Sequence, residues 1–286
     1  MAFIVFLGTG DADGIPALGC TCKHCNMARR NKTKQRSWAS LFISHRETNI
    51  IIDPTPELRS QLIRTGLDKE PVHAIMITHW HFEHWIGLVE LHAWDRKGIS
   101  SYKPNFDVFM NKYTFSEYEK ILPALIDSTN PWLQTRYKIH KVQPSDMFEI
   151  GKIGIMVVEL EHSLPCVGFI FKVNKRRIAY LVDSSSAFPR KTIDNVKECA
   201  DILILDNTWE KTEGSGHMDI TQAVEFVNKI APRIAFATHI GHKNLPHEEL
   251  DKTLRIKTNG ILKAAHDGLK VDIDSGGTYS VREWYK

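Results

Sequence analysis

Several features that place a chain in a special structural class are scarce in this sequence. Its 286 residues include only five cysteines, an odd number, and three of these lie between positions 20 and 25. A disulfide framework is therefore excluded as the basis of the fold, and a reducing, cytoplasmic environment is expected. No apolar run approaches the length of a transmembrane helix, and the apolar start at 3–7 lacks the basic leader of a signal peptide.

An excess of charge of one sign is also missing. The 37 basic residues against 34 acidic ones leave a net charge of only +3. Proteins that bind nucleic acid along its phosphates usually carry a larger basic surplus, so neither nucleic acid nor a membrane is expected as a partner. Low-complexity segments, long linkers and repeats of fixed period are absent as well. We therefore expect one domain over residues 1–286, which is within the range of a large α/β domain.

Apolar strand-like runs and helix-like periodic segments are interspersed along the chain. Strands are predicted at 3–7, 40–44, 49–52, 74–77, 107–110, 154–159, 168–173, 178–182, 202–205, 234–237 and 270–273. Helices are predicted at 56–66, 84–94, 114–126, 190–198, 219–230 and 247–256, and Asp219 is expected to be an N-cap. This mixture favours a layered αββα sandwich over a doubly wound parallel sheet. The aromatic segment 95–146 is predicted to be an insertion over the functional site, acting as a lid, an interface or both.

The densest group of metal-ligand residue types is the segment from Thr78 to His84. His79, His81, Glu83 and His84 directly follow an apolar strand-like run at 72–77. Ligands in such a loop lie at the carboxyl end of a strand, where open α/β sheets usually carry their sites. Imidazole suits zinc, iron, manganese or nickel, and a neighbouring carboxylate favours a hard divalent ion. The spacing predicts that His79 and His81 hold one ion and that Glu83 and His84 face a second.

Four further residues have the same character. His162, Asp183 and His239 each follow an apolar strand-like run, and His217 lies in a glycine-rich segment before a helix. Because strands of a sheet can end at one edge, all four side chains are expected to converge there.

A second candidate metal site is the cysteine cluster, Cys20, Cys22 and Cys25. Several thiolates in a tight loop usually bind zinc, and structural zinc takes four ligands. The fourth ligand is open at this point: His24, Cys166, Cys199 or a distant histidine could supply it. A redox function is disfavoured, because the cluster is not expected to open a helix in a thioredoxin-like βαβ unit.

The order of these residues resembles the metallo-β-lactamase superfamily, over most of the chain. The matching positions are His79, His81, Glu83, His84, His162, Asp183 and His239. The resemblance implies an αββα sandwich of metallo-β-lactamase type with a dinuclear metal site at its edge. It also implies that one ion is held by His79, His81 and His162, the other by Glu83, His84 and His239, with Asp183 bridging them. Asp53 matches an early buried aspartate that supports such sites.

The N-terminal motifs narrow the resemblance. Gly8-Thr9-Gly10, Gly14-Ile15-Pro16 and the cysteine cluster look like the phosphoribosyl 1,2-cyclic phosphate phosphodiesterase (PhnP-like) branch. That branch implies a structural zinc on the three cysteines, with His242 as the fourth ligand, and His217 as the proton donor. It further implies two active-site ions, manganese or zinc with iron as another option, and a homodimer.

The function implied is a metal-dependent phosphodiesterase for a small phosphodiester, with cyclic ribose phosphates as one candidate class. A hydroxide shared by the ions would attack phosphorus, and His217, Asp183 and Glu83 are the expected catalytic residues. Glu83 stands where the family most often has aspartate. It is expected to bind the second ion after a small shift, to weaken that ion, or to act as a base.

Three other functions stay open. A transfer-RNA 3′-processing nuclease shares the core, but the glycine- and proline-rich RNA-binding arm of those enzymes is missing here. A PqqB-like protein of cofactor biosynthesis or oxidation shares a similar cysteine loop. A non-catalytic metal-binding module is the third.

Overall fold

Two β-sheets packed face to face form the centre of the protein. The structure is a computed structural model and describes residues 2–91, 106–125, 137–212, 216–273 and 279–283. In spatial order, the described strands of the first sheet are β15 (Tyr279–Glu283), β14 (Leu269–Ile273), β1 (Ala2–Gly8), β2 (Ser40–His45), β3 (Thr48–Ile52), β4 (Ala74–Met76), β5 (Phe106–Asn111) and β6 (Tyr137–Val142). Those of the second sheet are β13 (Leu262–Ala264), β12 (Ile234–Thr238), β11 (Ile202–Asp206), β10 (Arg176–Leu181), β9 (Cys166–Val173), β8 (Ile153–Leu160) and β7 (Met147–Ile150).

Helices cover the outer faces of both sheets. They are α1 (Lys23–Arg30), α2 (Leu58–Arg64), α3 (Leu88–Leu91), α4 (Lys112–Leu125), α5 (Arg190–Cys199), α6 (Ile220–Ile230) and α7 (His247–Lys257). One apolar cluster fills the space between the sheets, where Phe6 packs on Phe236 with ring centroids 5.4 Å apart. Two further clusters lie between a sheet and its helices. The αββα sandwich expected from the sequence is therefore confirmed.

Parallel pairing within each sheet brings the ends of strands together. Strands β3 to β6 are parallel neighbours in the first sheet, and β10 to β13 are parallel neighbours in the second. Polar residues follow these strands directly, as Asp53 follows β3 and His239 follows β12. Because parallel strands end at the same edge, the topology collects residues that are far apart in the sequence at one site.

The predicted strands and helices are present, with shifts of a few residues at their ends, and helix 84–94 is described only as far as Leu91. Asp219 is the N-cap of α6 and forms a capping box with Gln222. The sequence did not predict α1, β6, β7, β13 or β15. The described parts of segment 95–146 form β5, α4 and β6, with β7 beginning just beyond it. Residues 95–105 and 126–136 lie outside the described residues. No helix in the described ranges is both long and apolar enough to cross a membrane.

The cysteine segment differs from the expectation of a simple loop. It opens helix α1, with Cys22 as the N-cap and Cys25 in the first turn. The flanking strands β1 and β2 are antiparallel, so the surrounding unit still differs from a thioredoxin-like βαβ unit, in which the strands are parallel.

Candidate metal centres

Three site residues have an unusual backbone conformation. Asp53, Asp183 and His239 have φ values of 54°, 61° and 56°, in the left-handed region. Each lies within two residues of the end of a strand, β3, β10 and β12 respectively. Non-glycine residues rarely adopt this conformation, and those that do are concentrated at functional sites. The turn that follows each strand thus starts with a residue that points a polar side chain along the sheet edge.

Asp183 is the centre of the largest polar cluster. Its Oδ2 atom lies 3.2 Å from His79 Nε2, 3.1 Å from His84 Nε2 and 3.6 Å from His239 Nε2. Its Oδ1 atom lies 3.0 Å from His217 Nδ1. Burial alone would raise the pKa of Asp183, but His239 and His79 outweigh it and hold that pKa well below its usual value. His162 Nδ1 also lies 3.5 Å from Oδ1, so this carboxylate is ionised and shared by five imidazoles.

Three imidazoles converge beside Asp183. His79 Nε2 lies 2.9 Å from His81 Nδ1, and His162 Nε2 lies 3.2 Å from the same His81 atom. Burial lowers the pKa of His79 and of His81, so both rings are neutral at neutral pH. The ligand atoms of the three rings and of Asp183 all lie within 4.8 Å of one another. Several neutral nitrogens directed at one point form the donor set that binds a divalent ion.

Glu83 and His84 are turned into the same cluster by a 3₁₀ turn over Phe82–His84. Glu83 Oε1 lies 3.9 Å from His84 Nε2, and both residues are within metal-sharing distance of Asp183. His84 Nδ1 lies 3.0 Å from Asp53 Oδ2. Burial would lower the pKa of His84, but Asp53 and Asp183 hold it well above its usual value. The carboxylate of Glu83 thus lies in the cluster, although its side chain is longer than that of the aspartate usual at this position.

Asp53 contacts His84 and Thr78 and helps to hold the neighbouring ligands in place. Its carboxylate accepts hydrogen bonds from the Thr78 backbone N–H at 2.9 Å and from the Thr78 hydroxyl at 3.1 Å. Thr78 precedes His79, and its hydroxyl lies 3.0 Å from His79 Nδ1. Contacts of this kind fix the orientation of a metal-binding histidine.

Asp206 is a site residue that the sequence analysis missed. It ends β11, is fully buried, and accepts hydrogen bonds from the Thr208 and Met218 backbone N–H groups. Its Oδ2 atom lies 3.2 Å from His217 Nδ1 and 3.4 Å from His239 Nδ1. The available signal was a carboxylate at the end of the apolar run 202–205, the same pattern that indicated Asp183.

His217 is more exposed than most imidazoles of the cluster. Its side chain is 23% exposed, whereas those of His79, His84, His162 and His239 are at most 2% exposed. Burial would lower its pKa, but hydrogen bonds to Asp183 and Asp206 raise that pKa to about 11. His217 is thus a protonated group that solvent or a substrate can reach.

Unpaired polar atoms show that the cluster fits divalent ions. His84 Nδ1 and Nε2, His239 Nε2 and Asp183 Oδ1 are buried without a well-directed hydrogen bond. Such groups cost free energy unless a partner satisfies them. A set of imidazole nitrogens and carboxylate oxygens suits zinc, manganese or iron.

The structure brings His242 to the cysteine cluster. Its Nδ1 atom lies 3.3 Å from Cys20 Sγ and 3.8 Å from Cys22 Sγ, and the four ligand atoms, with Cys25 Sγ, lie within 4.8 Å of one another. The Cys22 backbone N–H lies 3.4 Å from Cys20 Sγ, and this contact is the main cause that lowers the pKa of the Cys20 thiol. Three sulfurs and one imidazole match a closed structural zinc site.

Other candidates for the fourth ligand lie elsewhere. Cys166 is buried at the start of β9, where its thiol donates to the carbonyl of Asp183. His24 is buried and is absent from the four-residue group around Cys20. The side chain of Cys199 lies outside the described residues.

The chain is similar to an octanoyltransferase of Porphyromonas gingivalis, 25% identical over 277 residues, which are 96% of this chain and 52% of that protein. A coenzyme PQQ synthesis protein B of a Methylobacterium species is 32% identical over 30% of this chain and 32% of its own. A ribonuclease Z of Thermococcus kodakarensis is 25% identical over 52% of this chain and 45% of its own. The chain thus spans about half the length, or less, of these curated relatives.

Solved structures extend the likeness to almost the whole chain. A structure described as a new diphosphatase from the PhnP family superposes with a TM-score of 0.80 at 26% identity, covering 96% of this chain and 98% of that one. Zinc-bound PqqB from Methylobacterium extorquens gives a TM-score of 0.74 at 18% identity, covering 94% and 99%, and shares the fold. Short-form human tRNase Z shares it as well, with a TM-score of 0.68 at 20% identity, covering 95% and 99%.

A family model described as the beta-lactamase superfamily domain matches residues 48–240, which is more than half of the chain. That range contains nearly all of the Asp183 cluster. The chain therefore belongs to the metallo-β-lactamase superfamily, in its PhnP-like branch.

Proposed function

We propose that this protein is a metal-dependent phosphodiesterase that hydrolyses a small phosphodiester, with cyclic ribose phosphates in the candidate class. The observation that carries the proposal is His217, a partly exposed and protonated imidazole held against Asp183 and Asp206 at the rim of the cluster. A departing alkoxide needs a proton, and a positioned histidine commonly supplies it. The similarity to a PhnP-family diphosphatase supports chemistry at phosphorus.

The metal assignment of the proposal uses two overlapping donor sets. His79, His81 and His162 would hold one ion, and Glu83, His84 and His239 would hold the other, with Asp183 common to both. Two divalent ions bound there, manganese or zinc, would polarise the phosphoryl group and lower the pKa of water. The cysteine cluster with His242 would hold one structural zinc.

Side chains of the protein would supply the proton and hold the site in position. Nδ1 of His217 faces two carboxylates, so Nε2 is the nitrogen that can give a proton to the leaving oxygen. Asp206 fixes this orientation and holds the proton on the ring at neutral pH. Asp53 and Thr78 hold His84 and His79 in place. Rigid placement of this kind is a major source of catalytic rate.

The alternative functions have weaker support. In sequence, a ribonuclease Z matches about half of the chain, and the net charge of +3 is small for tracking RNA. In sequence, a PQQ synthesis protein B matches less than a third of it. The wider structural likeness of these two families shows the fold alone. The similarity to the octanoyltransferase leaves about half of that protein uncovered. Acyl transfer also has no independent support from the site.

The test combines metal analysis with hydrolysis of bis(p-nitrophenyl) phosphate, with and without manganese. We expect about one equivalent of tightly held zinc, bound as a structural site, and cleavage that manganese stimulates. His217→Ala should lower turnover by about 10²- to 10⁴-fold with bound metal unchanged. His140→Ala is the matched control, because His140 pairs with Asp107 on β5 and β6.

Equal turnover in His217→Ala would exclude the proton-donor role. Loss of one metal equivalent would instead make His217 a ligand, since Asp183, Asp206, His217 and His239 also form a group that could hold an ion. A homodimer in solution is a separate proposal, which gel filtration with light scattering would test.

A further inference from the structure

A large cavity lies beside the proposed catalytic cluster. Its volume is about 820 Å³, and Cys20 and His242 of the cysteine cluster are among its lining residues. Phe82 also lines it, and its chain neighbours His81 and Glu83 belong to the proposed metal-binding cluster. Cavities of this size accept small organic ligands. A substrate with phosphorus at Asp183 could therefore extend into this space.

The walls of the cavity combine aromatic rings with charged groups. Trp38 and Phe82 meet edge to face, with ring centroids 5.9 Å apart, and Phe82 is 53% exposed. The Trp38 ring is fixed by a hydrogen bond of 2.7 Å from its Nε1 to the carbonyl of Ala12. Both residues line the cavity and form an aromatic wall, which a planar ring could pack against.

Opposite charges complete the lining. Arg64 donates from Nη2 to the Ser37 hydroxyl at 2.9 Å, and its side chain is 39% exposed. Glu57 also lines the cavity and is half-buried. A guanidinium and a carboxyl group near an aromatic wall supply both donors and acceptors to the edge of a heterocycle. Proteins read single nucleobases with this combination of stacking and edge hydrogen bonds.

We propose that this cavity binds the base of a nucleotide substrate, with Trp38 and Phe82 as its stacking wall and Arg64 and Glu57 at its polar edge. The inference rests on the proposed phosphodiesterase function and names its substrate class, a phosphoric ester or anhydride of a nucleoside. A base-free sugar phosphate would fill the metal-binding cluster and leave the aromatic wall unused. Phe82, between two cluster residues, links base recognition to the reacting centre.

The experiment measures binding rather than turnover. Isothermal titration calorimetry of the metal-loaded protein compares AMP with ribose 5-phosphate, which carries the same phosphate without a base. We expect AMP to bind at least about fivefold more tightly, the lower end of what stacking one base contributes. Trp38→Leu and Phe82→Leu should each bring the ratio of the two dissociation constants toward one, with the value for ribose 5-phosphate unchanged.

Three controls keep the result interpretable. Trp38→Phe retains a ring and should keep most of the preference for AMP. Ile256→Ser removes an exposed apolar side chain on α7, which is 68% exposed, and should leave the ratio unchanged. Phe82→Leu carries the test if Trp38→Leu fails to fold.

Equal binding of the two ligands by the wild type would overturn the inference, as would a preference that survives both leucine substitutions. Neither result depends on hydrolysis. A protein that cleaves bis(p-nitrophenyl) phosphate without preferring AMP keeps the proposed function and loses this inference. A protein that prefers AMP through Trp38 but cleaves no diester loses the proposed function alone.

Discussion

The two candidate metal centres are built in opposite ways. The Asp183 cluster collects donors that follow several different strands of both sheets, and most of its side chains are buried. The cysteine cluster takes three donors from one short segment at the start of α1, and only His242 comes from elsewhere. Separate strands can place each group independently and hold it rigidly, which suits catalysis. A short local segment is sufficient for a structural ion.

Several histidines in the two regions differ in the direction of their pKa shifts. In the Asp183 cluster, carboxylates overcome burial and raise the pKa of His84, His217 and His239. Near the cysteine cluster, burial followed by the charge of Arg36 lowers the pKa of His24 to about 4 and that of His247 to about 3. Burial lowers the pKa of His79 and His81 in the first region as well. That region therefore combines protonated with neutral imidazoles, whereas His24 and His247 are both neutral at neutral pH.

The largest effect should come from Asp183→Asn, which keeps the shape of the side chain and removes its charge. Five imidazoles share this carboxylate, and groups that act as a unit fail together, so turnover should fall by at least about 10³-fold. The Asp183 cluster should lose metal while the cysteine cluster keeps its zinc. Metal analysis and diester hydrolysis on the same sample would check both. Loss of all the metal would show that the two centres are coupled.

A smaller effect on activity is expected from Asp206→Asn. Turnover should fall by about 10- to 100-fold, the usual range for residues that orient a site from behind. Asp206 helps to hold the pKa of His217 up, and an acid works only while protonated. Its removal should therefore move the alkaline limb of the pH–rate profile to lower pH. Asp219→Asn is the control, because Asp219 caps α6. An unmoved alkaline limb would separate Asp206 from the protonation of His217.

Cys22→Ser tests the other centre, where we expect loss of stability rather than of chemistry. Cys22 is the N-cap of α1 and its sulfur accepts the Cys25 backbone N–H at 3.4 Å. Serine is a good N-cap, so the substitution preserves the cap and removes only the thiolate. We expect one fewer zinc equivalent, a lower urea midpoint and nearly unchanged ions at Asp183. Unchanged zinc content would contradict the structural site.

The smallest effect concerns His247→Gln and the dependence of stability on pH. Arg36 Nη2 donates to His247 Nδ1 at 2.9 Å, which requires the neutral ring. The folded pKa is about 3 against 6.5 in the unfolded chain, so the unfolded state takes up more protons. Stability is therefore complete above pH 6.5 and is lost as pH falls toward 3.

Glutamine cannot take up this proton. The variant should lose less stability than the wild type between pH 7 and pH 5, by on the order of 1 kcal/mol. Urea unfolding at the two pH values would measure the difference. Parallel losses in both proteins would show that His247 is not responsible.

Sequence patterns predicted the elements with strong periodicity and missed the weak ones. Strands such as β11 and β12 are continuous apolar runs, because both of their faces are covered. Helix α1 was not predicted because its sequence is mostly polar, with only His24, Cys25 and Ala28 buried. β13 has three residues, too few to show alternation.

The candidate site shows a similar division. Adjacent ligands such as His79 and His81 stood out because they are close in the sequence. Asp206 did not, because a single carboxylate after a strand is also common as a simple turn residue. Its contact with His217 depends on the packing of neighbouring strands, which no local pattern records. His242 was indicated by family resemblance alone, since nothing near Cys20 in the sequence identifies it.

The contact between Cys20 and His242 has a further consequence in polymer terms. These residues are 222 positions apart, so a zinc ion held between them closes most of the chain into a loop. In the chain-entropy treatment of cross-links, a closure of that length stabilises the fold by about 5 kcal/mol, through the conformations it denies to the unfolded chain. Removing the ion with a chelator would take this contribution away.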